Sequence, residues 1–441
     1  MIRKVFACFN LEYQSEVIAI IKKFVSVSLF ILFLCQPGLY VSYADNAETL
    51  PKGISRVRLN GQYYSPVDKR YDSDGNEEGV AADFNARFDS NVFPDLALVE
   101  LGFGMPPGSA AIGDSVVSFE IIWREIDFFY EYGLTDRWTI GVHIPYWWNK
   151  TRIDEARLDP SNATVGKSAI GTGLGAPLTP LAGGGPFGDT VPLTTEDIQK
   201  ILGGGLDING DGAVDIAGFG YKRFETWSDN GLSDIEIGSR YQYLKTENWR
   251  LAFTGALRFP TGEVDDPDNL VDTEFGEGVW ALLFQFQNDY IGIENLILNG
   301  TLRYELKLPD KETLRVPDDV NQPITANKER VERDIGDVFE LELSGTYQFL
   351  EGLSVSLLYE FEYGFKDDVS GGLGFNYKSL EDETEFRSHI GVVGLHYSTI
   401  PLYRKKKFPV PMEAFVKYRD RFGGKNRAKS AWISVGLSVY F

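Results

Sequence analysis

One short segment carries oxygen ligands at a spacing that suits a hard cation. Residues 207–215 read Asp-Ile-Asn-Gly-Asp-Gly-Ala-Val-Asp, with side-chain oxygens at positions 1, 3, 5 and 9 and glycine at position 6. This pattern is typical of a Ca²⁺ loop, although position 12 is Gly218 and the usual bidentate glutamate is missing. The alternative is an acidic, glycine-punctuated turn. A bound ion would stiffen the loop. We predict that the protein requires no cofactor for its function. The predicted Ca²⁺ ligands are Asp207, Asn209, Asp211 and Asp215.

Other metal and catalytic chemistry has few candidates. The chain has 3 His and 2 Cys, too few to favour a transition-metal site built on these residues. His143 lies on the polar face of a predicted strand, where it is either the base of a hydrolase or a buried interior residue. No serine can be paired with it from spacing alone, and we therefore predict that the protein is not an enzyme. The formal net charge of -21 argues against a nucleic-acid partner.

The first 44 residues are predicted to be a signal peptide. Two lysines precede an eleven-residue apolar run at 24–34, and small residues precede a cleavage site between Ala44 and Asp45. The run is too short to cross a bilayer as a helix, which requires about 20 residues. An uncleaved N-terminal anchor is the alternative. Both cysteines lie in this segment, so residues 45–441 carry no thiol.

Apolar residues recur at every second position through the rest of the chain. Near the C-terminus, Ile433, Val435 and Leu437 alternate with small or polar residues, as in a strand with one apolar face. The alternating runs exceed the usual globular strand of about 5–6 residues and suit a membrane-spanning strand of about 9–11. Strands are predicted near 54–65, 118–132, 138–149, 231–244, 249–260, 278–288, 295–308, 337–348, 353–365, 385–398, 410–421 and 428–441. Twelve is the predicted count, with 14 as the alternative where alternation slips.

Connections between these strands alternate between short and long. Turns such as 134–137 are brief, whereas 66–117 and 150–230 are long. Aromatic residues such as Trp138 at strand ends would form membrane-interface girdles. The pattern predicts an all-β, antiparallel transmembrane β-barrel of about 12 strands over residues 45–441, with long extracellular loops.

The segment 150–230 is predicted to be a long outer-loop insertion. Glycine- and proline-rich chain at 171–188 precedes a short helix that starts after Thr194 and runs to Leu202. The threonine, with an acidic residue three positions later, suits a helix N-cap.

The two faces of the predicted strands indicate different surroundings. If the apolar face meets lipid, the polar face lines the lumen, where both signs of charge occur and no strong ion selectivity is indicated. Either these charges form a paired, hydrated network that stiffens a narrow barrel, or opposing strips set up a transverse field across a pore. The predicted pore-lining residues are Arg56, Arg58, Glu236, Arg240, Arg250, Arg258, Arg303, Glu305, Glu340, Glu342, Glu360 and Glu362.

The C-terminus and the acidic loops indicate the partners. Phe441 ends an alternating strand, which resembles the signal read by the barrel assembly machinery. Acidic residues crowd the segment 261–277, which is either a solvated loop or a site for divalent cations at the lipopolysaccharide surface. The predicted partners are outer-membrane lipid and lipopolysaccharide, the barrel assembly machinery and a small-molecule solute.

Three motifs resemble those of a known family. Residues 131–146 read EYGLTDRWTIGVHIPY, and residues 231–238 and 258–262 resemble later strands of the same proteins. Over roughly 118–441 the chain resembles the outer-membrane proteins grouped under the meta-pathway of phenol degradation. The resemblance implies a barrel that passes small, often aromatic molecules, and it implies no roles for individual residues.

Together these observations predict a channel of the bacterial outer membrane for passive uptake of small, aromatic or hydrophobic molecules. The alternative is a non-conducting barrel, plugged by 66–117 or 150–230, that serves as a surface-binding or structural protein.

Overall fold

Twelve antiparallel strands form a closed barrel in the computed structural model, which describes residues 46–181, 187–317 and 324–441. Each strand pairs with its neighbours in sequence, and the last pairs with the first. Closure leaves no unpaired strand edge, which a bilayer requires because lipid cannot satisfy backbone groups. The barrel strands are β1 Ser55–Tyr64, β2 Ala111–Thr135, β3 Trp138–Asp159, β4 Ile235–Lys245, β5 Trp249–Phe259, β6 Ala281–Ile293, β7 Leu296–Lys307, β8 Val338–Leu350, β9 Leu353–Gly364, β10 Phe386–Ser398, β11 Met412–Lys425 and β12 Ala431–Tyr440.

The predicted fold class and strand count of twelve are confirmed. The predicted signal peptide lies outside the described residues. Within the described part of the chain, no helix is long and apolar enough to cross a membrane.

Strands β2 and β3 are longer than predicted. Alternation indicated strands over 118–132 and 138–149, whereas the structure has strands of 25 and 22 residues. The added residues pair with each other beyond the barrel and carry Ile112 and Leu158 into a separate hydrophobic core. The register shifts between Ser118 and Phe119, where the ladder skips Asp154 of β3, and the residues beyond this bulge pack in the separate core instead of facing lipid.

A short strand precedes β4, and both pair with the same side of β3. Trp227–Leu232 pairs with the outer part of β3, and β4 pairs with the inner part. The single strand predicted over 231–244 is therefore divided at Ser233 and Asp234. The break is stabilised because the carboxylate of Asp234 accepts a 3.0 Å hydrogen bond from the N–H of Thr261.

Large apolar side chains cover the outside of the barrel. On β12, Ile433, Val435 and Leu437 are 44–48% exposed, whereas Ser434 and Ser438 on the inner face are buried. A continuous exposed apolar band is unfavourable in water and suits lipid hydrocarbon. Further members of this outer belt are Leu59, Tyr63, Ile126, Tyr130, Ile140, Ile237, Phe286, Leu298, Leu302, Leu343, Leu357, Val393, Leu395, Val416 and Tyr418.

Exposed aromatic side chains ring the end of the barrel that carries the short turns. Trp138, Tyr241, Trp249 and Tyr397 lie there. The start of β1 meets the C-terminal residue at the same place, since the N–H of Ser55 donates to the carbonyl of Phe441 at 2.8 Å. Aromatic girdles mark membrane interfaces, and short turns face the periplasm, so this end is the periplasmic one.

The two long outer loops share one hydrophobic core, here called the cap. Helix α1 (Asp95–Phe103) contributes Leu96 to it, and helix α3 (Thr195–Leu202) contributes Ile198. The core also includes residues from the extensions of β2 and β3, which places the cap beyond the apolar belt. Both long outer loops therefore fold against the extended ends of β2 and β3.

The helix predicted after Thr194 is present. The hydroxyl of Thr194 accepts a hydrogen bond from the N–H of Asp197, and the carboxylate of Asp197 accepts one from the N–H of Thr194 at 2.8 Å. Lys167 also pairs with Asp197 at 2.8 Å, so this carboxylate ties the first turn of the helix to the neighbouring loop.

A second outer sheet is built from the loops after β7 and β9, around Val316, Val331 and Val369. Its strands are Asp310–Arg315, Lys328–Asp334 and Asp368–Ser370. The remaining elements are strands Lys69–Tyr71, Glu77–Gly79, Arg87–Asp89, Val165–Lys167, Leu178–Pro180, Gly205–Leu206, Ile216–Ala217 and Arg427–Ala428, helices α2 Ala169–Thr172 and α4 Ile400–Arg404, and 3₁₀ turns Ala82–Phe84, Pro160–Asn162 and Tyr377–Glu381.

Candidate functional site: the barrel lumen

The inner face of β1 to β4 carries a chain of paired charges. Arg56 lies directly opposite Glu131 in the strand register and forms a two-pronged ion pair with it, with one N–O distance of 2.7 Å. Directly opposed residues on neighbouring strands are close enough to interact. The register therefore pairs the charges.

His143 lies at the centre of this part of the lumen. Its Nε2 is 2.8 Å from Asp127, and its Nδ1 is 3.6 Å from Glu236. The imidazole stacks on Phe129 with ring centroids 4.2 Å apart, and the guanidinium of Arg58 covers that ring at 4.0 Å. Two carboxylates and an aromatic ring thus engage the imidazole, an arrangement that suits a fixed part of the lumen wall.

Arg258 extends the chain of charges towards the outer mouth. Its guanidinium contacts Glu236 at 2.9 Å and Glu305 at 2.5 Å. The next inward residue on β7, Lys307, contacts Glu277 of an outer loop at 2.5 Å. One network therefore connects the middle of the barrel with its outer opening.

A second network lies on β7 to β11. Arg303 bridges Glu340 and Glu342, the latter at 3.0 Å, and Arg419 binds Glu360 at 3.1 Å. The carboxylates of Glu340, Glu342 and Glu360 lie within 4.8 Å of one another. Such a group of like charges is tolerated because the two guanidinium groups lie against it.

All twelve predicted pore-lining residues lie on the inner face. Ion pairs join several of these charges, including those of Arg56, Arg258 and Arg303. The paired side chains of Arg56, Glu131, Arg258, Arg303 and Glu340 keep 16–24% of their surface exposed. Water therefore reaches part of the network, whereas Glu342 and Glu360 are buried. The pore-lining role itself stays a prediction.

Sequence reasoning missed an aromatic cluster on the inner face near the outer mouth. Tyr64 stacks on Trp432 at 5.0 Å and meets Trp123 edge-on at 5.9 Å. The guanidinium groups of Arg419 and Arg421 lie 5.8 and 5.9 Å from the ring of Trp432. The alternation of β1, β2 and β12 placed these rings inward, but only the register of those strands brings them together.

The structure also brings together a serine and a histidine that the sequence did not connect. The hydroxyl of Ser356 and Nε2 of His396 are 2.7 Å apart, and both residues are buried. Phe415 packs beside the imidazole at 6.1 Å. Burial beneath neighbouring side chains favours a packing role for this pair over nucleophilic attack on a solute.

Residues 46–51, here called the strap, cross the lumen at its periplasmic end. The N–H of Ala47 donates to Asp289 at 3.1 Å, and its carbonyl accepts from Gln242 at 2.6 Å. These three residues are at most 1% exposed. The strap is thus hydrogen-bonded to the inner walls of β4 and β6.

Two further contacts fix the strap. The N–H of Leu50 donates to the hydroxyl of Thr139 on β3 at 2.8 Å. Glu48 pairs with Arg250 on β5, and Arg250 also contacts Asp289, the same carboxylate that accepts from Ala47. Arg250, predicted to line the pore, therefore binds a segment that obstructs the periplasmic mouth. The plug segments predicted at 66–117 and 150–230 instead contribute to the cap.

The loop 260–280, between β5 and β6, folds over the outer mouth. Phe275 is buried against Trp227 and the inner face of the short strand before β4. Inward-pointing Asn149 donates to the carbonyl of Glu274 at 3.2 Å. Acidic residues of this loop form ion pairs with basic side chains of another outer loop, since Asp268 contacts both Arg315 and Lys328. The loop is therefore packed and ion-paired, in contrast to a freely solvated loop.

The acidic surroundings at this mouth change the acidity of one side chain. Desolvation, together with the negative charges of Asp265 and Glu277, raises the pKa of Glu274 from 4.5 to about 8, against the opposing influence of Lys307 and Arg333. The packed loop therefore favours the protonated acid more than the unfolded loop does. Its stability is greatest at low pH and falls as pH rises from about 4.5 through 8.

We accordingly expect conductance to increase between pH 5 and pH 9, as ionised Glu274 loosens loop 260–280. Glu274→Gln should keep the loop packed and flatten this dependence in single-channel recordings. Glu263→Gln, which removes one carboxylate from the same loop, is the matched control. An unchanged pH profile in the Glu274 variant would contradict the assignment.

The four predicted Ca²⁺ ligands share one exposed hairpin of the cap. The carboxylate of Asp207 accepts hydrogen bonds from the N–H groups of two glycines at 2.7 and 2.9 Å, and Asp215 accepts one from Ile208 at 2.7 Å. Gly212 has φ +90°, as the turn at position 6 demands. The β-carbon of a side chain at Gly218 would meet backbone atoms as close as 2.1 Å, which explains the missing glutamate.

Comparison with known proteins agrees with this geometry. Residues 197–381 match the family described as the putative MetA-pathway of phenol degradation. The match runs from α3 to the end of the loop after β9, and it confirms the resemblance over that segment. The motif at 131–146 lies outside it. No curated protein sequence matches the chain.

Solved structures resemble the barrel as a whole. An outer membrane channel from Pseudomonas putida F1 is 13% identical, with a TM-score of 0.50, over 91% of this chain and 100% of that one. This likeness shows that the chain has the fold of an outer-membrane barrel. Two further structures are a FadL homologue of Pseudomonas aeruginosa (10% identical, TM-score 0.33, 88% and 90% covered) and the Ralstonia pickettii toluene transporter TbuX (9%, 0.32, 90% and 92%).

Proposed function

We propose that this protein is a channel of the bacterial outer membrane for passive uptake of small, aromatic or hydrophobic molecules. The observation that carries the proposal is a closed barrel whose paired interior charges remain partly exposed to water. A polar, water-accessible lining lowers the barrier to permeation without any chemical step. We therefore also propose that the barrel acts without catalysis.

Two features support an aromatic or hydrophobic solute. The family matched by residues 197–381 is named for phenol degradation. The cluster of Tyr64, Trp123 and Trp432, with guanidinium groups beside it, offers stacking and cation–π partners for a ring. A non-conducting, plugged barrel is not favoured, because the solved structure that resembles this barrel over 91% of the chain is an outer membrane channel.

Conductance in planar bilayers tests the proposal. The purified barrel should carry a small current in KCl, and millimolar benzoate should interrupt it transiently as the anion occupies the aromatic cluster. Trp123→Ala together with Trp432→Ala should shorten these interruptions several-fold, whereas Tyr418→Ala on the lipid face should not. Absence of current from the folded protein would contradict the proposal.

The proposal includes the predicted partners. An outer-membrane location places the apolar belt against lipid and the outer loops beside lipopolysaccharide. The C-terminal Phe441 is the residue through which we propose recognition by the barrel assembly machinery. Cleavage after Ala44 would release the strap to enter the lumen.

We further propose that Ca²⁺ binds the hairpin of Asp207, Asn209, Asp211 and Asp215. The turn is already ordered by its own hydrogen bonds, and Asp211 and Asn209 are exposed. At a Ca²⁺ concentration 100 times the Kd, the ion would stabilise the cap by about 2.7 kcal/mol.

Limited proteolysis of the cap with Ca²⁺ or with a chelator measures this effect. We expect Ca²⁺ to slow cleavage near the hairpin, and Asp207→Asn with Asp211→Asn to abolish the difference. Asp74→Asn, at an exposed position in another outer loop, should leave it intact. Equal cleavage of the wild-type protein in both conditions would exclude the site.

A further inference from the structure

The outer wall of the barrel contains a groove on the side formed by β12, β1, β2, β3 and the short strand before β4. Its volume is about 820 Å³. Tyr63, Ile126 and Trp148 line it with 52%, 46% and 40% of their surfaces exposed. These residues belong to the lipid-facing set of their strands, so the groove opens towards the bilayer and away from the lumen.

Two cations lie among these apolar side chains. Arg124 and Lys150 both line the groove and are exposed. Arg124 lies 5.4 Å from the ring of Tyr63, and neither cation forms an ion pair with a described carboxylate. Glu125 and Asp229 also border the groove, but Glu125 accepts a hydrogen bond from Gln62 on the inner face, and strand pairing places Asp229 opposite inward-pointing Asn149. The lipid-facing charge of the groove is therefore positive.

The height of the groove identifies the leaflet. Ten residues of β2 separate Tyr132, near the periplasmic turn, from Ile122, which lies opposite Lys150. At about 3.4 Å per residue and a tilt of about 40°, they span about 26 Å, close to the full apolar band of an outer-membrane barrel. Arg124, two residues lower, reaches the same level by extending its side chain. Both cations thus lie at the outer interface.

We propose that this groove binds lipopolysaccharide, with Arg124 and Lys150 on the phosphates of lipid A and acyl chains along Ile126, Tyr63 and Trp148. The outer leaflet is where this glycolipid resides, and its phosphates complement two unpaired cations above an apolar floor. Aromatic residues at this level suit the boundary between sugar and acyl chains. The inference rests on the outer-membrane location proposed above.

Native mass spectrometry of the detergent-solubilised, full-length mature barrel tests the site, with lipid A as the probe. Arg124→Ala together with Lys150→Ala should weaken lipid A binding at least about tenfold. Lys406→Ala with Lys407→Ala removes the same charge from an exposed periplasmic turn and should leave binding unchanged. Arg124→Gln with Lys150→Gln, which retains more of the side-chain length, provides a second variant if the first folds poorly.

Two results would overturn the inference. One is equal lipid A binding by the wild type and by a folded groove variant. The other is equally tight binding of phosphatidylglycerol, which would show attraction to any anionic lipid. Fractionation of the wild-type protein with the outer membrane is measured separately, so failure of the location and failure of the site are distinguishable.

Discussion

Replacing residues 46–50 of the strap with Gly-Ser-Gly-Ser-Gly is expected to raise single-channel conductance at least about threefold. The change removes the side chain of Glu48 and the compact packing of Ala47, so the backbone hydrogen bonds to Gln242 and Asp289 lose their fixed geometry. The periplasmic mouth would then be obstructed only part of the time. Planar-bilayer recordings at fixed salt measure the effect directly.

A matched replacement of the exposed periplasmic residues 404–408 by the same five residues is the control, because this turn lies between β10 and β11 outside the lumen. It should leave conductance unchanged. If the strap replacement folds normally and conducts no better than the wild type, the strap does not limit permeation, and the constriction lies at the outer loop 260–280.

Arg303→Ala is expected to cost about 3 kcal/mol of the free energy of unfolding and to make the pore more cation-selective. The substitution removes the cation between Glu340 and Glu342, whose carboxylates lie close to that of Glu360. An excess of enclosed carboxylates is unfavourable for folding and attracts cations from solution. Urea titration of the barrel in lipid vesicles and the reversal potential in a salt gradient measure the two effects.

A second substitution separates charge from packing. Arg303→Ala combined with Glu342→Gln should recover part of the lost stability and return the reversal potential towards that of the wild type. Recovery of neither quantity would show that Arg303 acts through its volume. Arg330→Ala, in the outer sheet built from the loops after β7 and β9, is a control outside the lumen and should change neither quantity strongly.

Much of the architecture followed from alternation, because a strand that separates lipid from water must change polarity at every residue. Ile433, Val435 and Leu437 already indicated which side meets lipid. The inward assignment of Arg56, Arg303 and the other predicted lumen residues follows from the same rule. Pairing partners did not, because strand register depends on the whole sheet.

Irregular parts of the chain escaped this rule. The extensions of β2 and β3 were missed because their residues pack in the cap instead of in lipid, so the lipid-facing alternation does not continue through them. The strap was missed because residues 46–51 have no repeating pattern. Their backbone groups bind side chains up to 242 positions away in the sequence.

The sequence by itself favoured twelve strands over 14, and it indicated the direction of each strand face and the placement of short and long connections. All three follow from local polarity and turn length, which depend only on residues that are adjacent in the sequence. Only the tertiary structure decided that charges pair across strands, that Tyr64, Trp123 and Trp432 form one cluster, and that the strap obstructs the periplasmic mouth. These features depend on distances through a closed barrel, and closure brings together residues whose separation along the chain carries no information about contact.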